Sequence, residues 1–265
     1  MVFWVFKLSS NQNPLQFPWH IEIGSSRILL HSILEPLGMF IGFRYFLYLR
    51  RKQGDAIASP HRTWIVIGAI FGALLGSRLA GGFENPPALW KAANPFIYLY
   101  LQKTVVGGFL GGLAAVEITK KIIGEEKSSG DIFTFPMILA LVIGRLGCFS
   151  MGVQEETYGL PTRLFTGMDL GDGLLRHPVC LYEIAFLIIL WLGMKQLEKR
   201  WTLQPGARFK IFMIAYLLFR FLLDFIKPHY TFATGLSTIQ IICLAGLAYY
   251  YRYLLQPKKL TLLNA

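Results

Sequence analysis

Apolar residues run through this chain in long unbroken stretches separated by short polar connections. A helix of about 20 predominantly apolar residues crosses a bilayer, and in lipid only helices and closed barrels satisfy every backbone polar group. Seven stretches are long enough, near residues 29–49, 64–83, 96–118, 132–152, 179–195, 208–226 and 236–255. The pattern therefore predicts an all-α membrane protein, with residues 1–265 as a single integral membrane domain of seven transmembrane helices. Residues 1–6 are apolar but too short to cross, and Lys7 follows rather than precedes them, unlike a secretory signal. With Pro14, Pro18 and Trp19 they read as an interfacial lead-in to the first span. The only sizeable connection expected on the outer side is 153–178, which predicts a small extracytoplasmic cap.

Composition supports the membrane reading. The chain is 54% hydrophobic and 15% charged, against about 25% charged in soluble domains. A net charge of +11 raises the question of nucleic acid, and the distribution of the charges answers it. Of 26 Lys and Arg, fifteen fall on one set of connections (Arg50, Arg51, Lys52 and Arg62 at the first) and six on the other. Basic residues accumulate on the cytoplasmic side, so the N-terminus is expected outside and the C-terminus in the cytoplasm, as an odd number of spans requires. No nucleic-acid partner is expected. The predicted location is a membrane that the chain crosses several times. Cys148, Cys180 and Cys243 fall in or beside spans. They show no disulfide framework and no metal-ligand spacing, and read as small apolar residues.

Charges inside the spans carry the candidate chemistry. A charged residue at the centre of a membrane helix costs at least about 2.5 kcal/mol. Arg44 can snorkel to the cytoplasmic end of its span. Arg145 and Arg220 are expected about 20 Å and about 18 Å above that end, at 1.5 Å per residue. Arg78 stands at similar height, and Lys103 enters from outside. Glu35, Glu183 and Asp224 occupy the outer halves of their spans. Asp224 follows Arg220 by four residues, so the two share a helix face and can pair. Four cations against three anions leave one positive charge, and surplus arginine at headgroup depth suits a phosphate group. Structural ion pairs between helices would account for the same residues. Gly68, Gly72 and Gly76, and the pairs Gly107-Gly108 and Gly111-Gly112, have the spacing of close helix packing. Gly107 and Gly108 can also present backbone N–H groups to an anion. In the cap, Asp169 and Asp172 lie among glycines without the spacing of a calcium loop, and read as turns. His177 is either a general base or a residue that opens the helix after Pro178.

These segments together resemble the prolipoprotein diacylglyceryl transferase family of bacteria. The resemblance rests on Gly144-Arg145-Leu146-Gly147-Cys148-Phe149, Tyr158-Gly159-Leu160-Pro161-Thr162, Arg176-His177-Pro178-Val179-Cys180-Leu181-Tyr182-Glu183 and Arg220-Phe221-Leu222-Leu223-Asp224-Phe225. It implies transfer of the diacylglyceryl group of phosphatidylglycerol to the lipobox cysteine thiol of a preprolipoprotein signal peptide, releasing glycerol phosphate. It implies membrane lipids as surroundings, no metal or other cofactor, and a monomer. The residues it implies as catalytic are Arg145, Arg220, Glu155 and Asp224. Those implied for substrate binding are Arg145, Gly159, His177, Tyr182, Glu183, Gly107, Gly108, Glu35 and Lys103. The chain departs from the family at three places. Val106 stands where the family usually has a histidine before the glycine pair, Cys148 where it has asparagine, and Glu35 where a tyrosine is frequent. Glu155 and Glu156 align equally well with the family's carboxylate. The base is thus left open: Lys103 or a carboxylate takes the role, or the acceptor is another thiol, amine or lipid. A lipid-binding or transport protein without chemistry is the alternative of a different class.

Overall fold

A computed structural model describes residues 16–262. The lead-in read at residues 1–6, with Lys7 and Pro14, lies outside the described residues. A hairpin of β1 (His20–Ile23) and β2 (Ser26–Leu29) leads directly into α1 (Leu30–Gln53). The helices α2 (Ser59–Gly82), α3 (Pro86–Lys91), α4 (Pro95–Leu101), α5 (Val105–Ile123) and α6 (Asp131–Ser150) follow. A cap holding the short pair β3 (Met168–Asp169) and β4 (Leu175–Arg176) leads to α7 (Val179–Arg200). The chain closes with α8 (Ala207–Leu223), α9 (Thr238–Tyr249) and α10 (Tyr251–Leu255). The two hairpins amend the all-α expectation.

Local chemistry explains the element ends. Arg50, Arg51 and Lys52 occupy the last turn of α1, where cations meet the negative end of the helix dipole. The side chains of Asn85 and Asn94 accept backbone N–H groups at the starts of α3 and α4, each followed by proline. Ser237 and Gln240 form a reciprocal capping box at α9.

Three helices, α2, α6 and α7, are by length and composition able to cross a membrane, and a fourth if α4 and α5 form one bent span. The span expected at 96–118 is not one straight helix, because α4 and α5 meet at 95°. The break falls on the polar triplet Gln102-Lys103-Thr104. The Thr104 amide donates to the Ser77 carbonyl at 3.2 Å and to its Oγ at 3.1 Å. The carbonyl of Gln102 accepts from Arg78 Nη1 at 3.1 Å. Backbone groups freed by the break are thus taken up by α2. The stretch at 236–255 is likewise divided, into α9 and α10, and that at 208–226 ends in a 3-10 turn at Asp224–Ile226.

Glycine sets how closely the helices approach. Between α2 and α5 an added Cβ on Gly107 would lie 2.4 Å from the Gly76 carbonyl oxygen, and one on Gly111 2.4 Å from that of Gly72. Gly107 is thus a close-packing residue of this seam. The main core includes Val106, Phe135, Leu187, Phe212, Tyr216, Leu217 and Cys243. A second, smaller cluster places Phe149, Leu170 and Cys180 under the cap, against Phe17 and Trp19. Trp19 donates its amide to the Ser150 carbonyl at 2.8 Å and accepts from the Leu30 amide at 3.0 Å. The hairpin is thereby tied to the end of α6.

Candidate functional site

Three helices converge on one carboxylate. Glu183 on α7 is almost fully enclosed, its side chain 1% exposed. Arg145 Nε from α6 stands 2.9 Å from Glu183 Oε1, and Arg220 Nη1 from α8 donates to Oε2 at 3.1 Å. Tyr216, one helical turn before Arg220, donates its hydroxyl to Oε1 at 2.7 Å. One anion is thus shared by two guanidinium groups. Arg220 Nε is buried without a protein hydrogen-bond partner. The expected pairing of Arg220 with Asp224 does not form. The helix gives way to a 3-10 turn at Asp224, whose carboxylate instead accepts from the Ser237 hydroxyl and lies 3.7 Å from His229 Nδ1. Asp224 therefore buttresses the start of α9.

A cavity of about 1420 Å³ runs beside this assembly. Of the expected charged layer, Glu35, Arg78, Lys103, Arg145, Glu183 and Arg220 line it, joined by Glu155, while Asp224 does not. Apolar residues of α1, α2, α5 and α6, among them Phe43, Ile70, Phe109 and Met137, form much of the remaining wall. Lys103, at the α4–α5 break, binds both oxygens of Glu35 at 2.8 and 2.9 Å. Arg78 is held by the Gln102 carbonyl, with its guanidinium 5.1 Å from the centre of the Tyr100 ring. Glu84 and Lys227 also line the cavity. Burial pushes the Glu84 carboxyl above its ordinary range, against the opposing pull of Lys227.

Sequence reasoning passed over His31. It sits in the first turn of α1, with Nε2 3.2 Å from Glu35 Oε2 and Nδ1 3.4 Å from Glu155 Oε2. Its place against α6 depends on Gly147, where a Cβ would come 3.3 Å from Nδ1. The signal available was the spacing of His31 and Glu35, one turn apart on a helix. Cys148 joins the same group. Arg145 Nη1 faces its sulfur at 3.7 Å, and the sulfur lies 4.0 Å from Glu155 Oε1. It is thus not the plain small apolar residue expected. Cys180 and Cys243 are buried in the two cores. Val106 is fully buried in the main core, and no titratable group stands at that position.

Gly159 and His177 lie in the cap and Tyr182 in the first turn of α7, none of them along the cavity wall. The Gly159 amide donates to the His177 carbonyl at 3.1 Å, and a Cβ there would lie 2.5 Å from His177 Cβ. His177 Nδ1 is 3.2 Å from the Tyr182 hydroxyl, itself 2.6 Å from Thr166 Oγ1. Asp169 Oδ1 accepts the amides of Gly171 and Gly173 at 2.9 and 3.0 Å, a turn built on a carboxylate. Asp172 Oδ2 accepts from Arg176 Nε at 2.8 Å, and this contact holds the Asp172 carboxyl below its ordinary value.

The sequence model of the prolipoprotein diacylglyceryl transferase family matches residues 18–255. The chain belongs to the prolipoprotein diacylglyceryl transferase family. It is 31% identical to the phosphatidylglycerol–prolipoprotein diacylglyceryl transferase of Bordetella parapertussis, over 85% of this chain and 89% of that protein. The like-named protein of Cupriavidus metallidurans is 31% identical over 79% of this chain and 80% of its own length. That of Nostoc sp. is 25% identical over 87% and 86%. The similarity to these relatives thus extends over most of the chain.

Proposed function

We propose that the protein transfers the diacylglyceryl group of phosphatidylglycerol to the lipobox cysteine thiol of preprolipoproteins, releasing glycerol phosphate. The observation that carries this reading is the pair of arginines held on Glu183 at the wall of a large, partly apolar cavity. The diacyl chains occupy the apolar part, and the phosphodiester meets Arg145 and Arg220. In a site shielded from water, fixed donors aimed at developing charge lower the barrier most effectively. The thiol gives up its proton to solvent, its sulfur attacks the glyceryl carbon, the bond from that carbon to phosphate oxygen breaks, and the leaving phosphate takes the electron pair against the two arginines. Glu183 positions both guanidinium groups. Lys103 and Glu35 close the site where α4 turns into α5. Asp224 acts by holding α9 beside α8. Glu155 stands where the thiol enters, and the cap at 153–178 receives the peptide.

The topology assigned to this activity is seven spans in the bacterial inner membrane, with the N-terminus outside, the C-terminus cytoplasmic and the protein acting as a monomer. α1, α8 and the α9–α10 pair supply the spans beyond the apolar helices. Purified chain mixed with phosphatidylglycerol and a lipobox peptide should release glycerol phosphate, and Arg145→Ala should abolish release. Intact lipid after incubation with the wild type would sink this reading.

A second reading keeps the lipid donor and changes the acceptor. Burial of Val106 in the core favours it, because the family's usual histidine has no counterpart there. Rescue of a bacterium depleted of its own transferase dismisses this alternative. Turnover of phosphatidylglycerol without rescue establishes it. Lipid movement that depends on Arg145 without any turnover would instead indicate a carrier.

A further inference from the structure

We propose that His31, Cys148 and Glu155 form a binding site for a zinc-class divalent metal that holds the acceptor thiol as thiolate. This rests on the transferase reading above and supplies the base that reading lacks.

One ligand atom from each of the three residues lies within 4.8 Å of the others. Metal bonds of about 2.0–2.3 Å at tetrahedral angles place ligand atoms roughly 3.3–3.8 Å apart. His31 Nδ1 stands 3.4 Å from one Glu155 oxygen, Oε2, inside that range, and Cys148 Sγ stands 4.0 Å from the other, Oε1, a few tenths outside it. The three come from separate segments: the first turn of α1, the end of α6 and the start of the cap.

Two observations independent of the spacing point to a cation held between them. His31 Nδ1 and Glu155 Oε2 are both buried, and despite their proximity neither is aligned to hydrogen-bond the other or any other protein atom. Buried polar atoms without a hydrogen-bond partner are costly to leave so. Glu35 stands 3.2 Å from the opposite nitrogen of His31. With the ring proton on that side, Nδ1 presents its lone pair inward. A carboxylate behind a metal-bound imidazole is a common way to fix its tautomer and orientation.

The ligand set also chooses the metal class. One thiolate, one imidazole and one carboxylate suit zinc and its neighbours rather than magnesium or calcium. Three protein ligands leave the fourth tetrahedral position for substrate. Cys148 and Glu155 line the cavity, so that position opens toward the lipid. Arg145 links the two halves of the site, with Nε on Glu183 and Nη1 facing Cys148.

Binding of the lipobox thiol to the metal releases its proton to solvent. The bound thiolate attacks the glyceryl carbon, a carbon–sulfur bond forms, and the carbon–oxygen bond to phosphate breaks. Glycerol phosphate departs with the electron pair, and the thioether, a weaker ligand than a thiolate, leaves the metal. No oxidant or reductant is needed. Two of the family's departures then become one change: loss of a histidine at Val106 and gain of a thiol at Cys148 exchange a general base for a metal.

Cobalt(II) provides a readout independent of turnover. Full-length protein in detergent, stripped with chelator, should take up one cobalt per chain with a near-ultraviolet thiolate band. Adding lipobox peptide should strengthen that band about twofold, from one thiolate to two. Cys148→Ser should lose the band, and Cys148→Asp should keep cobalt without it, so a folding defect in one variant does not obscure the result. Glu35→Gln should weaken cobalt binding about 10- to 100-fold. Chelation should abolish lipid transfer to the peptide, and zinc should restore it. A wild type that binds no cobalt, a band that survives Cys148→Ser, or transfer untouched by chelator would each overturn the proposal. Cobalt uptake with its sulfur band, but no transfer at any zinc loading, would overturn the transferase reading and leave the metal site standing.

Discussion

Glu183 is the residue on which the site turns, because it is the only carboxylate bound to both arginines among the described residues. Removing one member of a buried ion pair typically costs about 3–5 kcal/mol, since the partner is left charged and unpaired. Glu183→Gln should lower unfolding stability in detergent by that order and abolish transfer. Val106→His places an imidazole in a fully buried apolar core. It should cost about 1–3 kcal/mol for an unpaired polar group and leave the transfer rate no higher, because the ring faces the core. Both outcomes follow from thermal unfolding beside a lipid-transfer assay. The layer of charges was legible in the sequence because an arginine in an apolar run is itself an anomaly. Which acid each arginine meets was not. Arg220 and Asp224 are four apart, but the helix ends at Leu223, and a carboxylate 37 residues earlier in the chain takes the contact.

Among the helices, the seam between α2 and α5 is set by glycine against backbone. Gly111→Ala should overpack it by about 1–3 kcal/mol, whereas a Cβ at Gly144 meets nothing within 4 Å. Gly144→Ala should therefore leave the unfolding temperature nearly unchanged. The cap carries a pH dependence of its own. The Arg176 contact depresses the Asp172 carboxyl, so its stabilisation is complete above the ordinary aspartate value and disappears as pH falls through the lowered one. Limited proteolysis of the cap should quicken on acidification below the ordinary range, and Asp172→Asn should remove that step. The pair is partly exposed, so the effect is small, under about 1 kcal/mol. The long helices were readable from apolar length alone. The right-angled break before α5 was not read, although Asn94-Pro95 marked a helix start and Gln102-Lys103-Thr104 a polar interruption. The hairpin before α1 left less trace, because its strands are only four residues each.

For the molecule as a whole, sidedness is the quantity to test. Phe165 in the cap is 98% exposed, and Glu126 lies exposed in the connection between α5 and α6. In the proposed topology they face opposite compartments. A membrane-impermeant maleimide added to intact cells should label Phe165→Cys and spare Glu126→Cys, with the order reversed in inverted vesicles. Native Cys180 and Cys243 are buried and add little background. The sharing of Glu183 has a further consequence at this scale, which concerns which lipids the membrane offers. Two guanidinium groups on one carboxylate leave the empty assembly one positive charge in surplus. A lipid whose headgroup carries only its phosphodiester brings that charge to zero. A zwitterionic lipid arrives with its own ammonium and leaves the surplus unfilled. In the proposed transferase reading, this arrangement sorts a mixed bilayer by net charge before any bond is broken.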